Sequence, residues 1–186
     1  MRVGIGYDIH RFDTQRRPLR LGGVTIPASR GLAGHSDADV LLHAIADAML
    51  GAIGAPDLGE LFPPSDPRYR NMDSRRFIQT ALHKVRRAGW RVGNVDATVV
   101  TDAPKLTNHK AKMRAAISHL LHVTPSAVSV KAKTTEGLPP GTRGIAAQAV
   151  VLLKRARGSR LKARGRDKSA SSLNAPHNAL EQLGRI

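Results

Sequence analysis

The chain opens on strict alternation. Over residues 2–10, Val3, Ile5, Tyr7 and Ile9 fall on one side of a strand and Gly4, Gly6, Asp8 and His10 on the other. Residues 19–26, with Gly22-Gly23 inside, predict a short strand pair or bulge. Ser36 or Asp37 can cap a helix reaching about residue 53, with Asp39 placed as in a capping box and Leu41, Ile45, Ala48, Met49 and Ala52 as its apolar stripe. A long Pro/Asp-rich loop follows over 56–71, and loops of that length inside a domain are often functional. Ser74 then caps a second helix with Phe77, Ala81, Leu82 and Val85 inward, closed by Gly89. A strand over 95–100, a helix over 108–121 with Met113, Ile117 and Leu120 inward, a strand over 128–133 and an apolar strand over 145–153 complete the pattern. The fold class expected is α+β, a mixed β-sheet with helices packed on one face.

The periodicity stops near Lys154. Residues 155–186 carry eight Lys and Arg against Asp167 and Glu181, are Ser-rich over 155–172, and read as a basic, disordered tail. Residues 1–154 therefore form the one folded domain that 186 residues allow. The net charge of +16 suits a polyphosphate ligand as well as a nucleic acid, and only 3% aromatic residues argues against nucleic acid as partner. Absence of cysteine excludes disulfides, thiolate metal sites and cysteine nucleophiles, so any metal must be held by His, Asp or Glu. No apolar run reaches the roughly 20 residues of a membrane span, and Met1-Arg2-Val3-Gly4 is no signal peptide. The expectation is a cytoplasmic protein with no membrane partner.

Several constellations carry chemistry. Asp8 and His10, two apart on a strand, project to the same face as half of a divalent-metal site, although such a pair is more often a surface feature. Asp39, His43 and Asp47 fall four apart on one helix face, where His43 could be a third ligand; the plainer alternative is a solvated acidic face. Lys131 and Lys133, followed by Thr134, Thr135 and Glu136, suit phosphate oxygens and a bridging Mg²⁺, or simply a polar strand end. The remaining pieces are the loop over 57–67 and Thr101-Asp102-Ala103-Pro104-Lys105-Leu106, a strand end entering a helix.

Taken together and in order, Gly6-Tyr7-Asp8-Ile9-His10, His35-Ser36-Asp37-Ala38-Asp39 through His43, Phe62-Pro63-Pro64-Ser65-Asp66-Pro67, Asn94-Val95-Asp96, Ala103-Pro104-Lys105 and Thr134-Thr135-Glu136 resemble the 2-C-methyl-D-erythritol 2,4-cyclodiphosphate synthase family over residues 1–154. The resemblance implies an enzyme of the non-mevalonate isoprenoid pathway that cyclises 4-diphosphocytidyl-2-C-methyl-D-erythritol 2-phosphate and expels CMP. Carried over by position, Asp8, His10 and His43 would hold one Zn²⁺ per subunit, and Glu136 Mg²⁺ or Mn²⁺. His35 and Thr134 would stabilise the transition state, and Asp57 and Gly59 would take the ribose hydroxyls. Thr101, Ala103, Pro104, Lys105 and Leu106 would line a cytosine pocket from a neighbouring subunit. Ser36, Leu58, Phe62, Ser65 and Asp66 would complete the substrate contacts, together with Lys133, Thr135 and Arg143. The family's assembly implies a homotrimer with active sites between subunits. One stretch departs from the pattern: Gly137 to Gly144 is shorter than the family's loop and lacks its aromatic and second Glu, with Arg143 in place of the family's arginine.

Overall fold

The computed structural model describes residues 1–137 and 143–156. Its elements are β1 (Arg2–Arg11), β2 (Leu19–Leu21), β3 (Val24–Ile26), α1 (Val40–Ala52), α2 (Leu58–Leu61), α3 (Arg75–Arg87), β4 (Trp90–Val100), α4 (Lys110–Leu121), β5 (Val128–Lys133) and β6 (Gly144–Arg155). A mixed sheet runs β1-β6-β4-β5, with β6 antiparallel to β1 and β4, and β5 parallel to β4. Strands β1, β4 and β5 therefore point the same way and end together, with β1 and β5 at opposite edges. The α+β class and mixed sheet expected from the sequence are those observed.

Helix α1 lies on β1 and β6 and is buried nearly all round, so it is the central element. It can approach β1 because Gly4 and Gly6 face it: a Cβ there would stand 1.9 Å from the Ala48 carbonyl oxygen and 2.0 Å from that of Ala44. The Val3, Ile5, Tyr7 and Ile9 row consequently points away from the helices and is 59–64% exposed, joined by Val150 of β6. Asp8 and His10 share the inward row with the two glycines.

The start of α1 corrects the capping expected from the sequence. Neither Ser36 nor Asp37 caps it; Asp39 does, accepting from the Leu42 N–H at 3.1 Å. The same buried carboxylate accepts from the N–H groups of Gly22 (2.8 Å) and Gly23 (2.6 Å), both with φ positive, and so pins the β2–β3 turn to the helix. Asp39 thus leaves the row of three proposed on the helix face. Burial pushes its carboxyl pKa up despite those three donors.

Ser74 precedes α3 but makes no capping bond with its side chain. The 56–71 stretch is not loop throughout, since it contains α2 and a 3₁₀ turn at Pro67–Tyr69. Strand β4 begins at Trp90, five residues before the expected 95, because a bulge between Val92 and Asn94 carries the ladder through the polar residues that hide it in the sequence. The fourth helix opens with a 3₁₀ turn at Thr107–His109 before the α-helical residues. Strand β6 includes Arg155, a residue the sequence reading gives to the tail: it pairs with Trp90, and its guanidinium lies 4.2 Å from the indole centroid. The rest of the tail from 157, and residues 138–142 of the short loop, lie outside the described residues. Among the described residues no helix is long and apolar enough to cross a membrane.

Candidate active site

At the end of β1 the inward row meets the polar stripe of α1. Asp8 Oδ2 lies 3.0 Å from His10 Nε2 and 2.8 Å from His43 Nδ1, and the three ligand atoms are mutually within 4.8 Å. The second nitrogen of each ring is also engaged. His10 Nδ1 donates to the Ala33 carbonyl at 2.7 Å, which makes Nε2 the nitrogen that faces Asp8. His43 Nε2 meets Ser74 Oγ at 2.9 Å, and Ser74 in turn donates to the Asp37 carboxylate. That chain fixes a proton on His43 Nε2 and turns Nδ1 toward Asp8 as the ligand atom.

Burial alone would raise the pKa of Asp8, but hydrogen bonds from His10 and His43 and their charges hold it well below the usual carboxylate range. Burial would lower that of His10, and the hydrogen bond and charge of Asp8 outweigh it, so the net shift is upward. Two imidazole nitrogens and one carboxylate oxygen, half-buried and converging with their outer nitrogens satisfied, are a donor set that fits a divalent metal with an open position.

The triad borders a cavity of about 370 Å³. His35, Ser36, Leu58, Gly59 and Phe62, all expected to contact substrate, line it, as do Pro64, Tyr69 and Phe77. Phe77 packs on the His43 ring at 5.3 Å between centroids. Asp47 also lines the cavity but is a scaffold group, accepting from the Leu58 N–H at 2.9 Å; burial raises its pKa. Asp57 caps α2 by accepting from the Glu60 N–H at 2.9 Å. Asp66 pairs with Arg68 (2.6 Å) and lines a second cavity beyond His35, and Ser65 is exposed beside it. Arg143 sits at this same end, where its carbonyl accepts from the Phe12 N–H at 2.7 Å.

The other expected residues gather at the opposite edge. The Thr101 N–H donates to the Lys133 carbonyl (2.9 Å), and Thr135 donates to the Asp102 carboxylate through its N–H (2.8 Å) and hydroxyl. Thr134 donates to Glu136, and the Ala103–Pro104 bond is cis. Lys105 and Lys133 are exposed. Leu106 is 3% exposed, its side chain in the core, so only its backbone can meet a ligand. Lys131 is spent on the outer sheet face in an ion pair with Asp96 (2.5 Å). Strands β6 and β4 separate the two groups, a lateral distance of about 14 Å at the usual strand spacing. Within one chain the expected site residues thus fall into two groups at the same end of the sheet that are not brought together.

Two participants escaped the sequence reading. Ser74 and Asp37 both look like helix caps in sequence, yet they form the outer support of His43. Their spacing of 37 residues gives no local signal.

Residues 1–154 match the YgbB family. The 2-C-methyl-D-erythritol 2,4-cyclodiphosphate synthase of Alkalilimnicola ehrlichii is 54% identical over 157 residues, spanning 83% of this chain and 96% of that protein. Among solved structures, the bifunctional IspDF from Campylobacter jejuni superposes with a TM-score of 0.79 at 40% identity, covering 83% of this chain and 42% of that one. IspF of Plasmodium falciparum, solved as a CDP complex, gives 0.72 at 35% identity over 83% and 96% of the two chains.

Proposed function

The chain belongs to the YgbB family together with the 2-C-methyl-D-erythritol 2,4-cyclodiphosphate synthases it matches over nearly their whole length, and we propose that its two half-sites meet across subunits. It is an enzyme of isoprenoid biosynthesis: it cyclises 4-diphosphocytidyl-2-C-methyl-D-erythritol 2-phosphate to the 2,4-cyclodiphosphate and releases CMP. An oxygen of the 2-phosphate forms a bond to the β-phosphorus. The bond from that phosphorus to the bridging oxygen breaks, and the electron pair leaves on CMP. Because the attack is intramolecular, holding the substrate folded removes much of the entropic barrier.

The convergence of Asp8, His10 and His43 beside the cavity is the observation that supports the site assignment. We assign the triad to Zn²⁺, one per subunit, and Glu136 to Mg²⁺ or Mn²⁺; bound there, the two ions would neutralise phosphate oxygens and favour charge on the leaving group. The chain's own contribution is position. His35 faces the cavity from the triad side, and Thr134 and Lys133 offer a hydroxyl and a cation from the other side. The Thr101–Leu106 segment, exposed at Asp102, Ala103 and Lys105, is assigned to cytosine, and Glu136 travels with it because Thr135 is bonded to Asp102.

A homotrimer explains two observations at once. It brings the β5 edge of one copy to the β1 edge of the next, and it covers the exposed Val3, Ile5, Tyr7, Ile9 and Val150 face. The cytoplasm is the compartment assigned to it, with no membrane or nucleic acid as partner, and residues from 157 onward are assigned no part in turnover.

Mass spectrometry of the protein with the cytidylyl substrate and Mg²⁺ tests the reaction. A cyclic diphosphate plus CMP is expected; an opened monophosphate product would make it a phosphohydrolase. Co-expression of Asp8→Ala and Glu136→Gln chains tests the shared site. Each parent is inactive or weak, and mixed assemblies are expected to regain activity well above their sum; no regain would place both half-sites in one subunit.

A further inference from the structure

We propose that Arg17 is a positioning residue for His35, its guanidinium clamping the two carbonyls that flank that residue. Nη1 donates to the Gly34 carbonyl at 2.8 Å and Nη2 to the Ser36 carbonyl at 2.6 Å. The carbonyl between them, that of His35 itself, accepts from the Asn71 N–H, where Asn71 adopts φ of 58°. Ala33 and Asp37, on either side, are tied through their N–H groups to the carbonyls of Arg11 and Met72. Three successive carbonyls and both flanking residues are therefore held. The peptide planes on each side of His35 are fixed, and only its side-chain torsions stay free.

The clamp is itself braced. Arg17 Nε lies 4.0 Å from Asp13 Oδ2, and the Asp13 N–H donates to the Gly31 carbonyl. Gly31 passes so close that a Cβ there would stand 2.5 Å from the Pro18 carbonyl oxygen and 2.7 Å from that of Arg17. This matters because 34–36 lies outside any helix or strand, with Gly34 and His35 both exposed and only Ser36 buried. An imidazole on such a segment would sample many positions. A planar fork with two parallel N–H donors can hold two carbonyls at once, which an ammonium group cannot do with the same fixed geometry. Arg17 bonds to none of the triad side chains and reaches them only through its charge, which opposes protonation of His10, whereas its hydrogen bonds all go to the backbone around His35.

The proposal rests on the reading that His35 acts on the substrate, and a double-mutant cycle separates the two. With Arg17→Ala, kcat is expected to fall roughly 10- to 100-fold, the range that a misplacement of about 1 Å produces, while KM stays within about threefold. Zinc content and melting temperature should match the parent. Arg17→Lys should fall between the two. Arg17 lines the cavity beyond His35, of about 870 Å³, so millimolar guanidinium can enter the truncated site and should restore activity to Arg17→Ala where ammonium does not. In a His35→Ala background, adding Arg17→Ala should cost less than twofold.

A kcat for Arg17→Ala within twofold of the parent would overturn the proposal. So would a loss that tracks missing zinc or unfolded protein, a rise in KM at unchanged kcat, or effects of the two substitutions that simply multiply. If His35→Ala alone turns over at the parental rate, it is the reading of His35 that fails, and the role given to Arg17 falls with it.

Discussion

At the β1 edge the three side chains of the triad are tied into the body of the fold. His10 is fixed by the Ala33 carbonyl, and His43 by buried Ser74 and then Asp37, while Asp8 lies between the two rings. At the β5 edge the bonds run among groups close to one another, most of them exposed: Thr134 to Glu136, Thr135 to Asp102, and buried Thr101 to the Ala103 carbonyl. The first arrangement is preorganised by the core and can present three ligand atoms to a metal without a partner. The second has backbone order but open side chains, and under the proposed assembly it becomes a site only with substrate and the neighbouring subunit. A metal centre tolerates little misplacement, whereas a nucleotide pocket can close on its ligand, and the burial of the two ends follows that difference.

The sharpest way to break the comparison is at the metal. Asp8→Ala or His43→Ala leaves two protein ligands, so zinc content and turnover should be lost together, with kcat/KM down by more than about 10³-fold, some 4 kcal/mol. Metal analysis reads the result, and full zinc in the Asp8 variant would remove the triad from its assigned role. Glu136→Gln should act only on the other half. Zinc stays stoichiometric, while kcat falls on the order of 10²-fold and the response to added Mg²⁺ weakens, since a neutral amide is a poor ligand for a hard cation.

Ser74→Ala probes the support behind the first half. It removes the acceptor for His43 Nε2–H and leaves the ligand in place, so zinc affinity measured by competition with a chelator should fall about 10-fold, at the lower end of outer-shell effects. Unchanged affinity would mean that Ser36 Oγ, 3.3 Å from the same nitrogen, and Phe77 packing orient the ring without Ser74. The smallest effect expected is in pH. Asp8 raises the His10 pKa above its ordinary 6.5 in the metal-free protein, and a metal must displace that proton. Zinc affinity should therefore begin to fall while the pH is still above 6.5, losing up to about tenfold per unit below the raised pKa. Titrations of the metal-free protein should release close to one proton per zinc below it and fewer above; a fall that starts only below pH 6.5 would contradict the assignment.

Much of this was legible along the chain, and for identifiable reasons. Alternation over residues 2–10 and a spacing of four on a helix are local properties, so Asp8, His10 and His43 could be placed on their faces, and the order of motifs pointed to the family. The strand at Val128–Lys133 was readable for the same reason, as a short apolar alternation bounded by turns. Only the tertiary structure decided which way those faces turn. Two glycines let α1 close on β1, and that sends the apolar row outward and the metal row inward, against the usual reading of an alternating strand. The roles of Asp39, Asp37, Ser74 and Arg17 were likewise beyond local pattern. An acid or serine before a helix looks the same in sequence whether it only caps that helix or reaches across 16 to 37 residues to bind a turn, a histidine or another serine. Strand order, finally, is a property of pairing between distant segments: it puts β6 and β4 between the two groups of site residues within one chain, and the proposal that a second copy completes the centre starts from that separation.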